Sequence, residues 1–272
     1  MKSKIAVITV IIAMVFGIIS CEKQSEKSSN TTREPTASSS IEKDEFELCK
    51  TCPPGFELTQ EGVCKLRSLY QQYQSLEDAG VGGLKTALPT FRDGFTPQQI
   101  DLGRYLFFDP ILSGDGTVSC ATCHQPEKGF ADGLATSVGI GGKEVKRGAP
   151  SLWNVGFLNL LFWDGRDSTL EDQMQGPLFA DNEMGNNPNQ LKETINSIPA
   201  YVQMFKAAFP KRNETKIQLN EIYTALAAFE SSLVSLNSRY DQYAHGYHEA
   251  LNQKEIEGLN IFRSFVARCA EC

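Results

Sequence analysis

The stretch Ser119-Cys120-Ala121-Thr122-Cys123-His124 constrains this chain more than any other. Two cysteines three apart, followed at once by a histidine, form the attachment pattern of a c-type haem. The chemistry requires that spacing: the two thiols add across the two vinyl groups of one porphyrin, and the next residue then lies beneath the iron. Only three histidines occur in 272 residues, which sharpens the assignment of His124 as the proximal ligand. A zinc site would need a second Cys or His cluster at finger-like spacing, and none completes it. Cys120 and Cys123 are therefore expected as thioether anchors.

The sequence finishes on Arg268-Cys269-Ala270-Glu271-Cys272, the same motif without its histidine. A bare pair of this kind could be a redox pair or a disulfide. The expectation is instead a second haem motif, with Cys269 and Cys272 as anchors, cut off before its histidine. On that reading the full-length protein holds two haems c and this sequence has one complete site.

The length allows one large or two small domains with real cores. A net charge of -7 and a pI near 5.1 argue against a nucleic-acid partner, since phosphate binding wants clustered Lys and Arg. Lys2 and Lys4 precede an apolar run from Ile5 to Ile19, short for a spanning helix and suited to a signal peptide. That run ends Ile18-Ile19-Ser20-Cys21, which resembles the bacterial lipobox, so residues 1–20 are expected as a lipoprotein signal peptide and Cys21 as the lipidated residue. A lipid-anchored place in the periplasm or cell envelope agrees with haem attachment outside the cytoplasm. Residues 21–45 read as a disordered tether, because Glu22 to Ser40 holds no aromatic residue and no Val, Ile or Leu to offset ordering entropy.

Residues 46–82 read as a small Cys-containing module plus a helix. Cys49 and Cys52 are spaced like a haem site, but Pro53 stands where the histidine should be. A Cys52–Cys64 disulfide closing the Pro-Pro-Gly turn is expected in an oxidising compartment, leaving Cys49 without a role. Leu66, Leu69, Tyr70, Tyr73 and Leu76 have helical spacing, and Gly80 to Gly83 form a joint.

Residues 83–240 read as a cytochrome c-like domain. Thr96-Pro97 starts a helix, Thr as N-cap and Pro at the first position, with Ile100, Arg104 and Phe107 along one side and a break at Phe108-Asp109-Pro110. Gly129 to Pro150 is an ordered, glycine-rich loop. Helical faces follow at Tyr201, Met204, Phe205, Ala208 and Phe209, then at Ile222, Leu226, Phe229, Leu233 and Leu236. A third, Ile256, Leu259, Phe262, Arg263 and Val266, leads to Cys269 within residues 241–272, the start of a second haem domain. Strand-like alternation is hard to find, so the fold class is all-α.

The blocks Phe108-Asp109-Pro110-Ile111-Leu112-Ser113, Cys120 to His124, Gly129-Phe130-Ala131-Asp132, Arg147-Gly148-Ala149-Pro150-Ser151, Phe162-Trp163-Asp164-Gly165-Arg166 and Glu183-Met184 resemble, in order and spacing, the bacterial di-haem cytochrome c peroxidases and their MauG-like relatives. The resemblance runs from Thr96 to Cys272. It implies two cytochrome c-like helical haem domains. Hydrogen peroxide is reduced to water at the first haem, and electrons enter at the second from a small redox protein such as a cytochrome c or cupredoxin. A homodimer is possible in the same family.

The resemblance also implies roles. Glu183 matches the acid–base carboxylate, against a reading as one more solvated acid in Asp181-Asn182-Glu183. Trp163 matches the tryptophan between the haems, as an electron path or as packing. Two departures matter. The loop Gly139-Ile140-Gly141-Gly142-Lys143 lacks the histidine that ligates the resting iron in many relatives, so the first haem is expected open and high-spin without reductive activation. Gly148 replaces the asparagine that helps hold a calcium ion between domains, which puts that calcium in doubt. His245 and His248 read as surface residues, and Met174, Met184 and Met204 as core. The alternatives to a peroxidase are an electron-transfer cytochrome, with a methionine closing the iron, and a MauG-like oxidase of a protein substrate. The second haem's sixth ligand, usually Met in the peroxidases and Tyr in MauG, lies beyond Cys272. Lacking half its relay, the chain is expected to be inactive by itself.

Overall fold

The computed structural model describes residues 47–67 and 90–269. The signal peptide, Cys21, the whole tether, the helix expected over Leu69 to Leu76, and Cys272 lie outside them.

The described chain is helical around a single antiparallel hairpin. Strands β1 (Phe56–Leu58) and β2 (Cys64–Leu66) pair Phe56 with Leu66 and Leu58 with Cys64. Leu66, read as the first residue of a helix, is therefore a strand residue. Three-residue strands are too short for alternation to register in a sequence. Cys52 and Cys64 are disulfide-bonded to each other, and Cys49 is disulfide-bonded as well.

Helix α1 (Pro97–Phe108) starts at a Thr96 capping box that also uses Gln99, and it ends where Asp109 turns extended before Pro110. After the short helices α2 (Cys120–Cys123), α3 (Leu170–Gln173) and α4 (Gln175–Phe179) come α5 (Pro188–Ser197), α6 (Pro199–Ala208), α7 (Leu219–Ser232), α8 (Arg239–Ala244) and α9 (Gln253–Arg263). Helices α1 and α7 form the centre of the core. A Cβ on Gly103 would lie 1.8 Å from the Ala225 carbonyl oxygen, so the two backbones touch there. Phe107 packs against Phe229 and Phe130 beside this crossing, with ring centroids 5.0 and 6.2 Å apart. Met174, Met184 and Met204 lie in the same core.

Helix α7 stops at Ser232 although its apolar spacing continues. Leu233 and Leu236 are buried beyond the helix, because Asn154 captures the departing chain: its N–H donates to Leu233 O, and its Oδ1 accepts from Ser235 N–H at 2.8 Å. Helix α9 buries no residue, and Val266, read as part of its apolar face, lies past its end and is exposed.

Candidate haem site

The haem-attachment residues occupy a single helical turn. Ser119 opens α2, and His124 caps it with its N–H donating to Cys120 O at 2.9 Å. The segment before it is folded by Ser113, whose Oγ accepts from the N–H groups of Thr117 and Val118 at 3.1 and 3.2 Å. Cys120 and Cys123 are both free thiols. Burial and then the Glu230 charge raise the Cys120 pKa; burial and then Asp132 and Glu183 raise that of Cys123.

The imidazole of His124 faces two carbonyls through one nitrogen. Nδ1 lies 2.9 Å from Phe130 O and 3.1 Å from Pro150 O, so Nδ1 carries the proton and Nε2 the lone pair. Burial lowers its pKa more than these bonds raise it, keeping the ring neutral near neutral pH. Two unpaired thiols a turn apart, beside a neutral imidazole whose outer nitrogen is anchored to backbone carbonyls, is the donor set a c-type haem needs. The residues fit the group: Cys120 and Cys123 as covalent anchors and His124 Nε2 as iron ligand.

The loop that supplies those carbonyls is pinned by Asp132. Its carboxylate accepts from Ser137 Oγ and from Leu134 N–H, while Ala149 N–H donates to the same Ser137 hydroxyl. Burial alone would raise the Asp132 pKa, but these bonds hold it below the ordinary value. Gly148 lies against this loop so closely that a Cβ would be 2.1 Å from Leu134 O. No side chain, and hence no side-chain ligand, fits at position 148.

Glu183 sits on a tight turn after α4. Its N–H donates to Ala180 O and its carbonyl accepts from Ile140 N–H at 2.7 Å. The side chain is half-buried, and burial raises its pKa while Arg166 pulls it partly back. Glu183 and Arg166 thus share one electrostatic neighbourhood with Cys123. Arg166 pairs with Asp164 at 2.8 Å and lies over the Phe162 ring. Trp163, on the same turn, is 87 % exposed.

Other candidates fall elsewhere. His248 is exposed and packs against the Tyr243 ring, whereas His245 is half-buried at the end of α8. Cys269 is an exposed free thiol well beyond α9. Sequence reasoning missed Glu230, which the α7 fold buries beside Glu171 and Arg92. Burial and then the Glu171 charge push it up to about 8 against the pull of Arg92.

The chain spans about half the length of the curated relatives it matches. It is 38% identical over 175 residues to the cytochrome c551 peroxidase of Pseudomonas aeruginosa, covering 64% of this chain and 50% of that protein. It is 37% identical over 177 residues to the methylamine utilization protein MauG of Methylorubrum extorquens, covering 65% and 49%. Among solved structures, a MauG-like protein associated with microbial copper homeostasis superposes with a TM-score of 0.64 at 34% identity, covering 70% of this chain and 56% of that one. The family description "Di-haem cytochrome c peroxidase" matches residues 97–249, a span that contains the haem turn, the Trp163 turn and Glu183. With that match and this site in the same residues, the chain belongs to the di-haem cytochrome c peroxidase family.

Proposed function

We propose that the protein reduces hydrogen peroxide to water at the site formed by Cys120, Cys123, His124 and Glu183, drawing electrons from a small redox protein. The observation that carries this reading is Glu183, a half-buried carboxyl raised in pKa and placed within electrostatic reach of the anchor Cys123. A c-type haem held here would supply the iron centre at which the O–O bond is cleaved. His124 would hold that iron through Nε2, its ring fixed by Phe130 O and Pro150 O at Nδ1. Glu183, as carboxylate, takes the proton from one peroxide oxygen and returns it to the departing one. Over the cycle two electrons and two protons turn one peroxide into two waters. A carboxyl whose pKa is lifted toward the working pH suits both halves of that transfer.

The Gly139–Lys143 loop supports an iron open to peroxide without prior reduction, since it offers no histidine, and its Lys143 Nζ is engaged with Asp181 O. The remaining proposals rest on sequence: export, anchoring through a lipid on Cys21, a body of residues 83–240 followed by a second haem unit from 241, and electron passage at Trp163. Replacing Cys21 with Ala should abolish incorporation of labelled fatty acid.

The central test is the reaction of the matured ferric protein with peroxide in a stopped-flow spectrometer. Glu183→Gln should lower the second-order rate constant by about a hundredfold or more, with the Soret band of the resting protein unchanged. An unchanged rate overturns the assignment. Peroxide consumption that depends on an oxidised protein product rather than on a reduced donor would favour the oxidase reading instead.

A further inference from the structure

We propose that two loops, 112–118 and 138–144, grip the Glu183 turn at its two ends and set its register against the haem-anchor turn, with Gly114 and Gly139 as the positioning residues. The inference rests on the acid–base reading of Glu183.

At the first end, Gly139 lies against the backbone of the turn itself. A Cβ there would be 2.2 Å from Asn182 O, 2.6 Å from Glu183 O and 2.7 Å from Glu183 Cα, all backbone atoms with little room to yield. Gly139 has φ −101°, so the constraint is this close approach and not backbone strain. Around the contact, Ile140 N–H donates to Glu183 O at 2.7 Å and Lys143 Nζ donates to Asp181 O at 2.9 Å. One residue earlier, Val138 O is 3.9 Å from Cys123 Sγ. The loop thus touches the carboxylate turn and a haem anchor within two residues.

At the second end, Gly114 N–H donates to Met184 O at 2.7 Å. A Cβ on Gly114 would lie 2.2 Å from Gly185 O. Asn186, buried, donates through Nδ2 to Leu112 O at 2.8 Å. From Gly114 the chain reaches Ser119 and Cys120 through the Ser113-folded turn already described. Two short paths therefore join Glu183 to the two anchor cysteines: one through the contact of Val138 O with Cys123 Sγ, which persists as packing when that sulfur is a thioether, and one through the Ser113-folded turn to Cys120. A carboxylate held this way needs no rearrangement before it meets substrate, and a displacement of an ångström costs rate.

Cyanide binding to the matured ferric protein reads this geometry without turnover. Hydrogen cyanide must lose its proton to bind iron, so its association rate depends on a base placed nearby. Gly139→Ala and Gly114→Ala should each slow association about tenfold or more. Glu183→Gln should slow it at least as much, and Glu183→Gln combined with Gly139→Ala should be no slower than Glu183→Gln alone. Gly62→Ala, at φ +78° in the hairpin turn with no atom within 4 Å of the added Cβ, imposes left-handed strain outside the grip and should leave the rate within about twofold. Lys143→Met, which removes only the Asp181 tether, should slow association about threefold and decides the matter if the glycine variants fail to mature. Wild-type rates in Gly139→Ala or Lys143→Met, equal slowing in Gly62→Ala, or additive loss in the double variant would each overturn the grip. An unchanged rate in Glu183→Gln would instead overturn the acid–base reading beneath it.

Discussion

Burial and a nearby guanidinium act on Glu183 in opposite directions, and burial wins. A base works in its ionised form, so the rate of reaction with peroxide should rise with pH through the Glu183 pKa. Because that pKa is raised, the midpoint of the acid limb lies above the ordinary carboxylate value of 4.5. Arg166 stabilises the carboxylate, and its removal favours the protonated acid. Arg166→Gln should therefore shift the acid limb to higher pH with its plateau retained, as a pH series of the stopped-flow rate would show; a shift to lower pH contradicts the pairing. His124 illustrates what a sequence does and does not disclose at this scale. Its role is legible from the motif, but its tautomer depends on Phe130 O and Pro150 O, which only the folded loop brings to Nδ1. Gly114 and Gly139 carried no local signal either, since what makes them glycine is a backbone some 40 to 70 residues away.

At the scale of elements, α1 and α7 make the strongest demand. With no room for a Cβ between Gly103 and Ala225, Gly103→Ala must push the helices apart and is expected to cost about 3 kcal/mol or more, read as a lower urea midpoint of the matured protein. The same helix α7 carries Glu230 into the interior. Its folded pKa, about 8, exceeds the ordinary 4.5, so the folded state favours its neutral form. The sign follows: this residue contributes nothing below about pH 4.5, destabilises progressively as pH rises from there to about 8, and levels off above. Glu230→Gln should thus match wild type near pH 4 and exceed it by about 4 kcal/mol near pH 8 in urea unfolding; equal stability at both pH values counts against a buried, protonated carboxyl. The cap and break of α1 were legible because Thr96-Pro97 and Asp109-Pro110 are local signals. Helix α5 was missed although Asn187-Pro188 is the same kind of start, because only Leu191 and Ile195 of its residues are buried and its face is correspondingly faint.

Across the whole molecule, the N-terminal module is a brace on the helix pair that carries the haem turn. Phe56 and Leu66 of the hairpin join Ile100 of α1, Ala228 of α7 and Phe157 in one apolar cluster, with Phe91 bridging Phe56 and Phe157 at ring-centroid distances of 5.7 and 4.5 Å. Arg92 adds an ion pair to Glu171 on α3, and its N–H donates to Gly156 O. The residues that make these contacts were not readable from the sequence, because each partner lies far along the chain and the strands are three residues long. The Cys52–Cys64 bond closes a loop of sequence separation 12 within this brace. Closing a loop of that size removes unfolded-chain entropy equivalent to about 3 kcal/mol. If the module and the helix pair unfold together, replacing both cysteines with Ala should lower global stability by about that amount, with a single urea transition followed in parallel by far-UV dichroism and the Soret band. If the module were an independent appendage, the Soret transition would stay at the wild-type midpoint while the dichroism gained an earlier step, and the brace would be disproved.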